Sequence, residues 1–263
     1  MPTISIITAV HDGGHHYLCD TYESLLRQEM PAGWDWQWLV QEDGQTGNPA
    51  AKLPADDSRL SLGSGRAGRA PMARTMALAR AEGVLVRALD ADDMLTDGAL
   101  WRDIDTLTRH PDMAWCVSAC VDLMPDGTRV PGPYDPEPGA LPPRVLYEGH
   151  QRGQLPVMGT TLTTYTDLVC ALGGWFAIPA MEDVALLLAC EAVTSGWMIG
   201  EVSEVYRKHT EQSTACAAYA DQVEASGRNA ALYAHVDALY RSRWSWNVPV
   251  YEWQREVHDG VHI

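Results

Sequence analysis

Short apolar runs alternate with helix-periodic stretches through the first half of the chain, and this alternation limits the fold more than any other feature. Ile4-Ser-Ile-Ile-Thr-Ala-Val10 is a β-branched run and reads as a buried strand. His11-Asp-Gly-Gly14 breaks it, and residues 17–29 then carry Tyr17, Leu18, Thr21, Tyr22, Leu25 and Leu26 at helical spacing. Trp36 to Val40 reads as a second strand running into Gln41-Glu-Asp-Gly44, and residues 44–54 read as a loop of turn formers. Leu60 to Leu62 reads as a short third strand. Pro71 suits the first position of a helix that runs through Leu78 and stops near Gly83. Val84 to Leu89 is the next strand, residues 97–110 the next helix, and Ala114 to Val121 a further strand. The pattern predicts an α/β fold with a doubly wound, mostly parallel sheet and helices on both faces. Ligands of such sheets sit beyond the carboxyl ends of the strands, where the loops after Val10, Val40 and Leu89 would meet.

The second half reads differently. Eight of the sixteen prolines fall between Met124 and Pro156, which predicts an irregular segment with no regular helix. Val157 to Thr164 reads as a strand centred on Gly159, Ala171-Leu-Gly-Gly-Trp175 as a turn, and Ala180 to Ser195 as a helix. A strand at 201–208 follows, then an alanine-rich helical extension from Ser213 to about Trp244. Trp244, Trp246, Tyr251 and Trp253 are expected to fold back on the domain, or to form the face of a homodimer.

A formal net charge of -16 on 263 residues disfavours nucleic-acid and anionic-membrane binding. Such a chain could bind an anionic ligand only with local help from a divalent cation or from arginines. The six cysteines have no zinc-site spacing and read mostly as small buried side chains. No run is long enough to cross a bilayer and no signal peptide is visible, so the expectation is a reduced, cytoplasmic protein.

Asp90-Ala-Asp-Asp93 is the sharpest feature. On extended backbone, acids at i and i+2 point the same way. At the end of a buried strand they would face the ligand edge, where their oxygens suit Mn²⁺ or Mg²⁺. A solvated acidic turn, or a cap for the helix that follows, is the plainer alternative. Glu182-Asp183 lies in the first turn after Pro179. Acids are common there, and a general base is the functional reading. Arg66, Arg69 and Arg74 gather around the start of the second helix and could meet phosphate, or could form a solvated face. His209 could reach a diphosphate or a metal. Gly63-Ser-Gly-Arg-Ala-Gly68 fits a dinucleotide fingerprint literally but does not follow the first strand, and reads as a flexible loop near the donor pocket.

Over roughly residues 3–212 the chain resembles the family-2 glycosyltransferases of the GT-A fold. The residues carrying the resemblance are the first strand, Val40-Gln-Glu-Asp-Gly44, Ala73-Arg74, Leu89-Asp-Ala-Asp-Asp93, Gly173-Gly-Trp175, Glu182-Asp183 and Tyr206-Arg-Lys-His209. Gln41, Gln45 and Thr75 depart from the family's pattern. The resemblance implies a catalytic unit of residues 1–212, with a nucleotide-sugar half (1–123) and an acceptor half (124–212), followed by a C-terminal helical extension (213–263). It implies that Asp43 or Glu42 meets the nucleobase and Arg74 the nucleotide, with Thr8, Val10 and Ala91 lining the donor pocket. Asp90 would address ribose or metal, Asp92 and His209 the Mn²⁺ or Mg²⁺ ion. Asp183, with Glu182 beside it, would be the base. The implied activity is inverting transfer from a nucleotide-sugar, UDP-linked by default, to a soluble small-molecule, peptide or oligosaccharide acceptor. A nucleotidyltransferase, an inactive nucleotide-binding protein and, last, an NAD-dependent oxidoreductase remain alternatives.

Overall fold

The computed structural model describes residues 1–251. Strand β1 (Thr3–Val10) is flanked by parallel neighbours on both sides, β2 (Asp35–Asp43) and β4 (Leu85–Ala88). Two covered faces explain its β-branched run, with Ile4, Ile6 and Ile7 fully buried. Helix α1 (Leu18–Leu26) links β1 to β2 after a 3-10 turn over Asp12–Tyr17. Strand β3 (Leu60–Gly65) pairs parallel with β2, and helix α2 (Arg69–Leu78) returns the chain to β4 across β1 and β2. A two-residue strand β5 (Met94–Leu95) and helix α3 (Ala99–Arg109) lead to β6 (Trp115–Leu123).

Beyond β6 come the short strands β7 (Arg129–Pro131) and β8 (Gly139–Ala140), helix α4 (Val145–Gln151), β9 (Thr163–Tyr165) and α5 (Thr166–Ala171). Helix α6 (Glu182–Val193) and strand β10 (Gly196–Arg207) complete the sheet, and α7 (Ala217–Ala220) and α8 (Gln222–Ser242) follow. The strand order is β3-β2-β1-β4-β9-β6-β10-β5, with β7 on β6 and β8 on β10. The long pairings (β1 with β2 and β4, β2 with β3, β6 with β10) are parallel, and the antiparallel ones are two or three residues long.

Alternation along β4 shows helices on both faces. Val86 and Ala88 face a small cavity that also touches Asp183 and Leu186 of α6. Arg87 points the other way and meets Asp103 of α3, Nη1 to Oδ2 at 2.7 Å. Its second amino group donates to Ser203 Oγ at 2.8 Å and Glu204 Oε2 at 3.1 Å, both on β10. Thr163 donates to Asp103 Oδ2 at 2.7 Å, and Thr160 donates to Glu204. The arginine and both acids are buried, so an ionic network bridges α3 and three strands in the centre of the fold. No feature of the sequence analysis anticipated it.

Several expectations are corrected. The proline-rich segment does contain a helix, α4, because its prolines stop at Pro143 and resume at Pro156. Glu191 of α6 caps that helix from outside, accepting the N–H groups of Leu146 and Tyr147 at 2.8 and 2.9 Å. Residues 157–162 are not a strand. The Thr161 hydroxyl donates back to the Met158 carbonyl at 2.7 Å and closes a 3-10 turn over Gly159–Thr161. Gly63 to Gly65 lie in β3 rather than in a flexible loop, because β2 offers them a full parallel ladder. Helix α2 starts at Arg69, two residues before Pro71. Cys19, Cys170 and Cys216 are exposed, so only Cys116, Cys120 and Cys190 fit the buried reading.

Helix α8 packs on α6 through the fully buried Leu232 and Val236. Asp221 starts it by accepting from the N–H groups of Val223 and Glu224. Trp246 and Tyr251 then fold back on Tyr165, with ring centroids 5.6 and 5.3 Å away. Trp253 lies outside the described residues. Among the described residues no helix is long and apolar enough to cross a membrane.

Candidate active site

The acidic motif lies on a tight turn, not on extended strand. Strand β4 ends at Ala88, and the Asp93 N–H donates to the Asp90 carbonyl at 3.2 Å. The turn, rather than strand alternation, brings carboxylate oxygens of Asp90, Asp92 and Asp93 within 4.8 Å of one another. Thr21 of α1 pins it from behind, its hydroxyl bonded to the Ala91 carbonyl at 3.0 Å and to the Asp93 carbonyl at 2.8 Å. Ala91 therefore contributes backbone, and its methyl is buried.

Asp90 and Asp92 are half-buried and Asp93 is fully buried. Burial first, and then the Asp90 charge, raise the Asp92 pKa against the pull of His209. Burial, Glu204 and the other two acids raise the Asp93 pKa well above its ordinary value. Asp93 Oδ1 accepts the Arg207 N–H at 2.8 Å, while the buried Oδ2 has no partner. Three crowded acids with an orphaned oxygen are what a cation would neutralise. His209 Nε2 sits 2.7 Å from Asp92 Oδ2. The three carboxylates are an oxygen-only group of the kind that could hold Mn²⁺ or Mg²⁺, and His209 stands beside Asp92.

The end of β10 is clamped onto the turn. Arg207 Nε donates to the Asp92 carbonyl at 2.9 Å and Nη2 to Asp20 at 2.7 Å, while its guanidinium lies 4.4 Å from the centre of the Tyr17 ring. Gln212 bonds the Arg207 carbonyl at 2.6 Å and closes the segment that presents His209. Arg207 was not singled out in the sequence, although the resemblance there pointed to its neighbour His209.

Glu182 and Asp183 open α6, and only one of them is tied to a cation. Arg74 is buried and donates through Nη1 to Glu182 and through Nη2 to Asp90. Burial raises the Glu182 pKa, and the Arg74 charge opposes that rise. Backbone N–H groups at the start of α6 favour the ionised form of Asp183. Burial and Asp90 raise its pKa, and Arg74 again opposes. Its carboxylate faces the turn at Gly159. A Cβ built on Gly159 would lie 2.5 Å from Asp183 Oδ2 and 3.0 Å from the Asp183 carbonyl carbon. Gly159→Ala is therefore expected to displace Asp183 and to lower any turnover that depends on it by about 10²-fold. Steady-state kinetics with a melting curve will separate that loss from unfolding.

At the opposite end of the sheet edge the expected donor contacts are largely internal. Thr8 is fully buried. Its hydroxyl donates to the Leu89 carbonyl at 2.7 Å and accepts from Trp38 Nε1 at 2.8 Å, so it joins strands and offers nothing to a ligand. Val10 is buried in the core at the end of β1. Glu42 accepts the N–H of Thr46 at 2.5 Å, the Thr46 hydroxyl at 2.8 Å and the N–H of Gly47 at 3.0 Å. Burial disfavours its charge, but these bonds outweigh it and lower the pKa. Asp43 accepts the N–H groups of Gly68 and Arg69 at 2.6 and 3.0 Å, and so holds the start of α2. A groove with largely apolar walls, lined by Val40, Pro49, Leu62 and Gly63, runs beside Glu42.

No family model and no curated protein sequence matches the chain. Solved structures do match. TarS 1-349 of S. aureus in complex with UDP-GlcNAc superposes with a TM-score of 0.70 at 16% identity, over 92% of this chain and 71% of that one. The same fragment in complex with UDP gives 0.65 at 15% identity, over 92% and 70%. A longer chain of S. aureus TarS gives 0.61 at 16% identity, over 92% of this chain and 43% of that one. By its mixed α/β architecture, its strand order and these superpositions, the chain has a GT-A-like fold.

Proposed function

We propose that the chain is an inverting glycosyltransferase. It moves a sugar from a nucleotide-sugar, UDP-linked by default, to a hydroxyl or amine of a soluble small-molecule, peptide or oligosaccharide acceptor. One observation carries the reading: Arg74 joins the acidic turn of β4 to the start of α6, where Asp183 stands. A donor-binding acid group and a candidate base are thereby held at one sheet edge, as transfer from a diphosphate requires. TarS structures with UDP and UDP-GlcNAc support the uridine default.

In this reading Asp183 takes the proton of the acceptor hydroxyl as that oxygen bonds the anomeric carbon. The bond from that carbon to the diphosphate oxygen breaks, and its electron pair leaves with the nucleoside diphosphate. Asp92, Asp90 and His209 would hold Mn²⁺ or Mg²⁺, and Asp93 would support them from below. Such an ion, when bound, screens the diphosphate charge and eases its departure. The groove beside Glu42 receives the base, with Glu42 and Asp43 shaping it by fixing the 46–47 loop and the start of α2.

Titration calorimetry of UDP and GDP, with Mn²⁺ and with EDTA, tests the donor site. UDP binding is expected to need the metal, and Asp92→Ala is expected to abolish the metal-dependent part. Failure of both nucleotides to bind wild-type protein with Mn²⁺ would remove the reading. Release of pyrophosphate in place of a nucleoside diphosphate from a nucleotide-sugar would replace it with nucleotidyl transfer.

A further inference from the structure

Arg74 was expected to meet the nucleotide, but its surroundings leave no room for that. The side chain is 3% exposed, and its two amino groups are bonded to Asp90 and Glu182. A phosphate could reach this guanidinium only by displacing one of those carboxylates. The remaining Nε is buried without a partner, so it points at no solvent-borne ligand either.

The rest of α2 makes the same connection. Its start is held by Asp43, on the side of the candidate nucleobase groove. Arg69 Nη1 donates to the Pro179 carbonyl at 3.2 Å. The Thr75 hydroxyl accepts the Trp175 N–H at 3.1 Å. Three residues of one helix thus hold the 175–182 segment that delivers α6 to the site. Two residues at the ends of this connection are held in a strained backbone conformation. Arg69 and Met181 are non-glycine residues at φ 67 and φ 66, a conformation that persists only where surrounding contacts impose it. Met181 is the residue immediately before the Glu182–Asp183 pair.

We propose that Arg74 is a positioning residue that ties the base-bearing start of α6 to the donor-side acid Asp90, and that it does not contact the nucleotide. The proposal rests on the glycosyl-transfer reading. Arg74 acts on Asp183 through Glu182, one residue away. The planar fork matters because it bonds two carboxylates along fixed directions, which a lysine ammonium cannot reproduce. Loosening the tie leaves the donor site intact and lets the base drift. A displacement of about 1 Å is worth about 10²-fold in rate.

The experiment compares wild type, Arg74→Lys and Glu182→Gln in two assays. The first is calorimetric binding of UDP and GDP with Mn²⁺. The second is release of UDP or GDP from a panel of UDP- and GDP-sugars. Both variants are expected to bind nucleotide within about threefold of wild type while kcat falls roughly 10–100-fold at saturating donor. An Arg74→Lys variant that binds nucleotide ten-fold or more weakly with unchanged kcat would make Arg74 a nucleotide contact and overturn the proposal. Unchanged binding and unchanged kcat would reduce it to a stabilising ion pair, and overturn it equally. A wild type that neither binds nor turns over any of these nucleotides would remove the glycosyl-transfer reading and the proposal with it. Should Arg74→Lys fail to fold, the double variant Arg74→Met/Glu182→Met removes the buried pair together, and Asp90, about a third exposed, keeps its solvent. Its expected signature is the same retained binding, with kcat below that of Glu182→Gln.

Discussion

Arg87→Met is expected to cost about 3–5 kcal/mol of folding stability, because it strips the cation from two buried carboxylates. Asp103 and Glu204 are 1% and 0% exposed, so neither can turn to water when the guanidinium goes. For a domain of this size that loss lowers the melting temperature by roughly 10 °C. Urea unfolding with a constant m-value is the measurement. A loss under about 1 kcal/mol would show that the network contributes little beyond packing. The pH dependence carries a definite sign. Glu204 is held above its ordinary pKa by burial even with Arg87 in place, the Arg87 charge opposing that rise. Without Arg87 that pKa climbs further, so the folded variant takes up protons that the unfolded chain does not hold. Its deficit is then largest above the raised pKa and shrinks as pH falls through it toward the unfolded value. Replacing all three ionic residues by apolar ones of similar volume is expected to recover much of the loss, since a buried network gives way to packing at little net cost.

This network also shows where the sequence was readable and where it was not. The β-branched run of β1 declared a buried strand, because local composition alone decides that. The first-half alternation likewise gave the parallel sheet and its ligand edge. Arg87 stood in plain view inside Val84-Leu-Val-Arg-Ala-Leu89, and a charge in mid-strand was the available signal for a buried partner. Its partners lie 16 and 117 residues away, and no local pattern names them. The same distance problem hid the site's wiring. Asp90, Asp92 and Asp183 could be singled out as candidates because each sits in a short motif. That Arg74 serves carboxylates depends on α2 crossing β1 and meeting α6. Thr8 entered only through the resemblance, and its hydroxyl is bonded within the fold to Leu89 and Trp38. The helix inside the proline-rich segment escaped because proline count was weighed over proline position. The turn at Gly159 escaped because Val157 to Thr164 reads as an extended run, and the bond from the Thr161 hydroxyl to the Met158 carbonyl that closes the turn leaves no mark in the apolar pattern.

Asp183→Asn is expected to lower kcat by about 10²–10⁴-fold with nucleotide affinity unchanged, if Asp183 is the base. The substitution is nearly isosteric, so folding should survive it. The pH profile distinguishes a base from a bystander. Burial and the Asp90 charge raise the Asp183 pKa, with Arg74 opposing. A base must be ionised to work. Wild-type kcat should therefore be high above that raised pKa and fall as pH drops through it, at a pH above the ordinary aspartate value of about 3.9. In Asp183→Asn this acid limb should vanish along with the rate. Glu182, one residue earlier, is also raised by burial and could produce a limb of its own. Glu182→Gln separates the two: it should lower kcat through lost positioning yet keep the acid limb. A variant profile in which Glu182→Gln removes the limb and Asp183→Asn keeps it would exchange the roles of the pair. The geometry argues against that exchange, because the Glu182 carboxylate is already bonded to Arg74, and a base must leave its oxygen free to receive a proton from the acceptor.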